Sequence, residues 1–325
     1  MKKIHKNDFD GYIQYGSKKF YEKTGRKDHI KRLDKQLSFF KKKINNRKNQ
    51  KLRSNCEICG YKKNELLFNK NGFKHVRCLK CSFVYVNPTL KEEVFNTFFF
   101  NEDSYNKVLK NKDNIRLDKL KFQYGLQKIN NKNANKKILD IGCAFGSFLD
   151  VAKKNGWDVY ASEINTDAVK VLNKKKIPVL KNPFKKNYYD AICMWLTFEH
   201  LTKPNLILKE IYPSLKKKGK LLINVPNVES LVALILKDKC TIFHGHTHVN
   251  HFSPETLSKI LKKNKFKVKI METIISDAGA VENYLNNDNL QNPYLGNNKK
   301  KYSFTNPNYI HKNLHGYSIL CIATK

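Results

Sequence analysis

From residue 137 onward, short continuous apolar runs alternate with segments in which apolar positions recur every three or four residues. The runs have the signature of buried strands, and the longer period marks amphipathic helices. The pattern predicts strands over 137–141, 157–162, 177–180, 189–195 and 219–225, with helices over 146–155, 165–175 and 204–216. Strands and helices in alternation imply a parallel sheet with helical crossovers. After residue 226 the pattern predicts an apolar helix over 228–238, a histidine-rich loop, a helix near 254–264, and strands over 266–272 and 317–323. Residues 90–135 read as polar and helical, with an aromatic knot at Phe98-Phe99-Phe100. Further upstream, Ile30, Leu33, Leu37 and Phe40 recur at helical spacing, and Lys41 through Lys51 reads as a solvated linker.

The 325 residues, 40% of them hydrophobic, suffice for one large domain and a smaller module. No apolar run is long enough for a membrane span, and no apolar stretch follows the basic start, so the expected compartment is the cytoplasm. The formal net charge is +35, and the first fifty residues hold sixteen Lys or Arg against five Asp or Glu. Lys and Asn are abundant throughout the chain, which by itself accounts for the charge. A basic surface also attracts phosphate-rich partners such as nucleic acid or nucleotide-linked substrates.

Of eight cysteines, four form two Cys-x-x-Cys pairs, Cys56/Cys59 and Cys78/Cys81. Each pair on a tight turn offers two sulfurs to one tetrahedral ion, so the spacing points to zinc. Gly60 stands where such a turn needs a positive φ. Four thiolates leave no open coordination position, which makes the metal structural. Disulfides are the alternative, but a cytoplasmic chain disfavours them. Cys143 and Cys193 read as small buried residues.

The segment Asp140-Ile141-Gly142-Cys143-Ala144-Phe145-Gly146 ends a strand, turns on small residues and opens a helix. Such turns let backbone approach a ligand at the carboxyl end of a parallel strand. Glu163 ends the next strand, where an acidic side chain can accept hydrogen bonds from both hydroxyls of a ribose. Nicotinamide dinucleotides and S-adenosylmethionine both suit that arrangement. The last glycine comes one position early for a pyrophosphate-binding turn, which favours S-adenosylmethionine.

These residues resemble the first motif of class I S-adenosylmethionine-dependent methyltransferases. Tyr189-Asp190-Ala191-Ile192 with Phe198-Glu199-His200-Leu201, and Leu215 through Asn227, resemble the fourth- and fifth-strand segments of the ubiquinone-biosynthesis-like branch. His248-Val249-Asn250-His251-Phe252-Ser253, together with the run from Cys81 to Pro88, resembles members with an N-terminal zinc ribbon, among them sugar C-methyltransferases. The resemblance implies an α/β, Rossmann-like sheet, mostly parallel with an antiparallel C-terminal strand. It covers about residues 55 to 325, and with the basic, periodic start it divides the chain into a basic helical/linker segment (1–53), a zinc ribbon (54–90), a helical cap/linker (91–135) and an S-adenosylmethionine-binding domain (136–325). It places Asp140, Gly142 and Gly146 at the methionine end of the cofactor, with the backbone of Cys143 and Ala144 beneath it. Glu163 would hold the ribose, Ile164 the adenine face, and Leu196 and Thr197 would lie near the sulfonium. Ala144 departs from a frequent glycine, and the link 181–187 lacks an adenine-binding acid, for which Asn182 could substitute.

Methyl transfer from a sulfonium needs alignment and often a base for the attacking atom. The expected bases are His248 and His200. His251 reads as a packed residue, and a second metal held by His244, His246, His248 and His251 lacks a carboxylate among its donors. The expected substrate is a small molecule, anionic in character, such as a nucleotide-linked or polymer-bound sugar. Two alternatives are an RNA methyltransferase that uses the ribbon for recognition, and a non-catalytic zinc-ribbon binding protein on a decayed scaffold. Against the former, Leu196-Thr197-Phe198-Glu199-His200 stands where exocyclic-amine methyltransferases grip a flipped base with an Asn/Asp-Pro-Pro-Tyr sequence. Against the latter, Asp140, Gly142, Gly146 and Glu163 are all in place.

Overall fold

The computed structural model describes residues 3–5, 8, 18–94, 96, 103–130, 136–297 and 300–325; the aromatic knot at 98–100 lies outside them. Helices α1 (Lys18–Lys23) and α2 (Arg26–Asn45) come first. Where the sequence suggests a solvated linker, α2 continues to Asn45 and buries Phe40 and Ile44 against Phe73, Val86 and Val249. Strand β1 (Gln50–Lys51) then pairs with β5 (Thr89–Leu90), so both ends of the intervening module are tied together. That module is a meander of β2 (Asn64–Lys70), β3 (Phe73–Cys78) and β4 (Val84–Val86). Helices α3 (Asp103–Lys110) and α4 (Lys112–Ile129) follow; the Asn111 side chain caps α4 by accepting from the Asp113 and Asn114 N–H groups.

The larger domain alternates β6 (Lys136–Ile141), α5 (Ser147–Lys154), β7 (Trp157–Ser162), α6 (Thr166–Lys174), β8 (Tyr189–Trp195), α7 (Pro204–Ser214) and β9 (Leu215–Pro226). It continues with α8 (Leu231–Leu236), β10 (Asn250–His251), α9 (Pro254–Lys263), β11 (Lys267–Ile274), α10 (Ala278–Leu285), α11 (Pro307–Lys312) and β12 (Ser318–Thr324). Six strands form one sheet in the order β11-β12-β9-β8-β6-β7; β6 to β9 are parallel, and β12 is antiparallel to both neighbours. The strand expected over 177–180 is reduced to one bridge, Val179 to Ala161. Pro178 and Pro183 flank that short link, and proline cannot donate to a ladder.

The chain moves from β6 outward to β7 and then back to β8 on the other side. Such a reversal of strand order opens a crevice at the carboxyl ends of the strands. One face of the sheet is covered by α4, α5 and their aromatic residues. The other packs α7, α9 and the four-cysteine module into a single core in which Phe83 and Tyr85 meet Phe198 and Phe252. Strand β10 leaves the larger domain to pair with β4, becoming the fourth strand of the module's sheet. None of the described helices is long and apolar enough to cross a membrane.

Candidate active site

The crevice is a cavity of about 560 Å³. Its floor is the turn after β6. Gly142 has φ +72° and Gly146 φ +76°, and a Cβ on Gly142 would lie 2.5 Å from Thr197 Oγ1. Only glycine permits both that backbone and that approach. Ala144 takes φ +48° and Leu196 φ +52°, a left-handed conformation unusual for either residue. Two strained positions thus border the same cavity, a concentration typical of ligand sites.

Asp140 is buried at the end of β6 and borders the cavity, and its Oδ1 meets no donor. Burial, and then the Glu163 charge, hold its carboxyl well above the usual range. Glu163 accepts from three backbone N–H groups: Ala144 at 2.7 Å, Ile164 at 2.7 Å and Asn165 at 2.8 Å. These bonds fix the first turn to the end of β7. A carboxylate offers about four acceptor sites, so Glu163 retains capacity for a ligand hydroxyl. Ile164 is exposed at the rim, and Cys143, Leu196 and Thr197 all border the cavity. Asn182 is exposed and lies outside the lining. Burial drives the Cys143 thiol far above its usual range, making it a poor nucleophile.

The opposite wall comes from residues that the sequence did not single out. Trp195 packs edge-on against Phe122 with centroids 5.0 Å apart, and Phe148 lies beside both. Gly125 lets α4 seat on that indole, because a Cβ there would lie 2.6 Å from the ring. Helix α4 also presents Asn114, Asp118 and Lys121, the last two paired at 2.5 Å. Arg26 reaches in from α2, its guanidinium 5.0 Å over the Phe20 ring and Nη1 buried without an acceptor. The only hint of this wall in the sequence was the polar, helical character of 91–135.

The candidate bases lie at one edge. His200 borders the cavity, and its Nδ1 is 2.9 Å from the Thr247 carbonyl. Behind it, His248 lies with its ring centroid 5.0 Å away and Nδ1 2.8 Å from the Ile242 carbonyl; it is not part of the lining. Burial pulls the His200 pKa down to about 4 and that of His248 to about 3. Glu199, 1% exposed, joins them and is raised to about 8 by the same cause. The carboxylate missing from the histidine loop is therefore supplied by the turn after β8. Of the other loop histidines, His244 lies edge-on to His248 with centroids 5.9 Å apart, His246 stacks on Phe40, and His251 hydrogen-bonds His75 at 3.0 Å.

The loop holding His248 is stitched to the module. Val86 N–H donates to the Val249 carbonyl at 3.0 Å, and Arg53 donates to Val249 O at 3.1 Å and Asn250 Oδ1 at 2.9 Å. Within the module, Cys56 and Cys81 sulfurs are 3.5 Å apart, as are those of Cys59 and Cys78, and all four converge within 4.8 Å. A tetrahedron of Zn–S bonds near 2.3 Å has edges of about 3.8 Å. Gly60 (φ +73°) and Ser82 (φ +61°) follow the second cysteine of each pair, forming two matching left-handed turns.

Residues 117–269 match the methyltransferase-domain family. An uncharacterized protein of Methanocaldococcus jannaschii is 31% identical over 128 residues, 37% of this chain and 56% of that protein; the chain thus spans little more than half of this relative's length. Phosphoethanolamine N-methyltransferase 2 of Haemonchus contortus, solved with S-adenosyl-L-methionine, aligns with TM-score 0.50 at 17% identity, covering 74% of this chain and 62% of that one. An S-adenosylmethionine-dependent methyltransferase of Archaeoglobus fulgidus aligns with TM-score 0.46 at 24% identity, covering 65% and 94%. Over residues 117–269, a little under half of its length, the chain is therefore similar to the methyltransferase-domain family, and its fold agrees with that of a solved methyltransferase.

Proposed function

We propose that the protein transfers a methyl group from S-adenosylmethionine to a small anionic acceptor, with a nucleotide-linked or polymer-bound sugar as the leading candidate. The observation that carries the cofactor assignment is the pair of carboxylates bordering the cavity. Asp140 keeps one buried oxygen without a donor, and Glu163 stands across the turn. A ligand bringing an ammonium, a sulfonium and ribose hydroxyls supplies cations and donors to both. A nicotinamide dinucleotide would bring a pyrophosphate against two acids, which like-charge repulsion opposes. In this reading Asp140, Gly142, Cys143, Ala144 and Gly146 hold the methionine end, Glu163 the ribose and Ile164 the adenine, while Leu196 and Thr197 flank the sulfonium. The bound cofactor supplies the electrophilic methyl group; the protein supplies alignment and exclusion of water.

Arg26 and Lys121 on the far wall support an anionic acceptor, because Arg26 Nη1 is buried there without a partner. We assign the acceptor proton to His200, a reading supported by its place in the cavity lining. We assign a structural zinc ion to Cys56, Cys59, Cys78 and Cys81, whose sulfur spacing supports it. Calorimetry with S-adenosylhomocysteine tests the cofactor. Binding is expected, weakened about 10- to 100-fold in Glu163→Ala by loss of a charged hydrogen-bond partner. Absence of any binding by the wild type would refute the reading. Labelled methyl transfer to sugar nucleotides, with RNA as the competing arm, tests the acceptor.

A further inference from the structure

We propose that Glu199, His200 and His248 form a site for one divalent transition-metal ion at the edge of the methyl-transfer cavity, distinct from the four-cysteine module. One donor atom from each of the three lies within 4.8 Å of the others, and His200 Nε2 is 3.9 Å from Glu199 Oε1. The tautomers are set by the backbone. Nδ1 of His200 faces the Thr247 carbonyl and Nδ1 of His248 faces the Ile242 carbonyl. A carbonyl only accepts, so each Nδ1 carries a proton and Nε2 is the nitrogen that remains to meet an ion; the His200 ring also hydrogen-bonds the Leu196 backbone, a bond with which ligation competes. Metal-ligating histidines are oriented in this way, by a backbone acceptor on the second nitrogen.

The third donor is a carboxylate buried to 1% exposure, and neither of its oxygens meets a hydrogen-bond donor. A buried carboxylate without a donor is costly, and a cation is the direct remedy. Two imidazoles and one carboxylate suit Zn²⁺, Fe²⁺ or Mn²⁺ better than Mg²⁺ or Ca²⁺, which take oxygen donors. Three protein ligands leave coordination positions open, and His200 sets the site against the cavity. An ion held there would bind an acceptor oxygen and lower its pKa. That use rests on the proposed methyl transfer, whereas metal binding itself does not. With the ion bound, Nε2 of both His200 and His248 is a ligand, so neither ring then serves as base, and His200 meets an acceptor proton only in the metal-free site.

The test is titration of full-length protein, its cysteine module filled with one equivalent of zinc, with Mn²⁺ alone, read by electron paramagnetic resonance. The wild type is expected to take up one Mn²⁺. Glu199→Gln and His248→Ala should each weaken uptake by about 10- to 100-fold or more, while His244→Ala leaves it unchanged. Two separate ligand variants guard against one failing to fold, and thermal melts report folding in each. No Mn²⁺ uptake by the wild type, or wild-type affinity in both ligand variants, would overturn the site. S-adenosylhomocysteine calorimetry on the same samples separates the two readings: cofactor binding without Mn²⁺ uptake refutes the metal alone, and Mn²⁺ uptake without cofactor binding refutes the methyltransferase reading alone.

Discussion

Replacing Gly142 with alanine isolates the strained turn on which the cavity floor depends. Two penalties arise from separate causes. An alanine held at φ +72° costs about 1–2 kcal/mol. Its Cβ would also lie 2.5 Å from Thr197 Oγ1 and 2.6 Å from Cγ2, an overpacking worth about 1–3 kcal/mol. Gly142→Ala should therefore lose about 2–5 kcal/mol of unfolding free energy. Thr197→Ala removes Oγ1 and Cγ2 and leaves only the Cβ contact, at 3.1 Å. The double variant should recover the overpacking share but not the backbone share. Urea denaturation of the four proteins, analysed at a common m-value, measures this coupling directly. A coupling of about 1–3 kcal/mol is expected. Additivity within about 0.5 kcal/mol would show that Thr197 does not press on the turn, and the geometry assigned to the floor would be wrong.

Other outcomes follow from the same physics. Ala144→Gly relieves a left-handed alanine and should stabilise the fold by up to about 1 kcal/mol, after the added chain entropy of glycine is set against it; urea midpoints check this. His75 is fully buried, and burial depresses its pKa to about 3. Its contribution is therefore complete above pH 6.5 and lost as pH falls towards 3, with a slope of up to about 1.4 kcal/mol per pH unit. His75→Gln should flatten that acid limb, and an unchanged limb would refute the assignment. Cys78→Ser should release zinc, measured by metal analysis, and lower the melting temperature of the whole chain, because the module shares its core with the sheet. Arg53→Ala should lower kcat more than it weakens S-adenosylhomocysteine binding, since its hydrogen bonds end on the His248 loop and not on the glycine turn.

The parallel half of the sheet was legible because β6 and β8 carry buried apolar stretches, Ile138-Leu139 and Ala191 to Met194, because β7 alternates buried and more exposed positions, and because the glycine turn punctuates the first of them. The four cysteines were legible from spacing alone. The route of β10 was not. Asn250 and His251 belong to a loop in sequence, and only β4, some 165 residues earlier, gives them a strand partner. The Glu199 cluster was obscured for the same reason. Glu199 and His248 lie on different segments, and the link between them is a hydrogen bond from Val249 N–H to the Glu199 carbonyl. The far wall escaped notice because the polar face of α4, with Asn114, Asp118 and Lys121, reads in one dimension as an ordinary solvated helix.

The pairing of β10 with β4 also decides how the chain can be cut. A shortened chain beginning after Leu90 would keep every strand of the central sheet. It would nevertheless strip Asn250 and His251 of their ladder and bare the side of Phe252 that meets Phe83. The excised fragment would be poorer by a strand as well. The two folding units thus have a seam that runs through the secondary structure itself, and a gene split at that point should yield pieces that must find each other before either is finished.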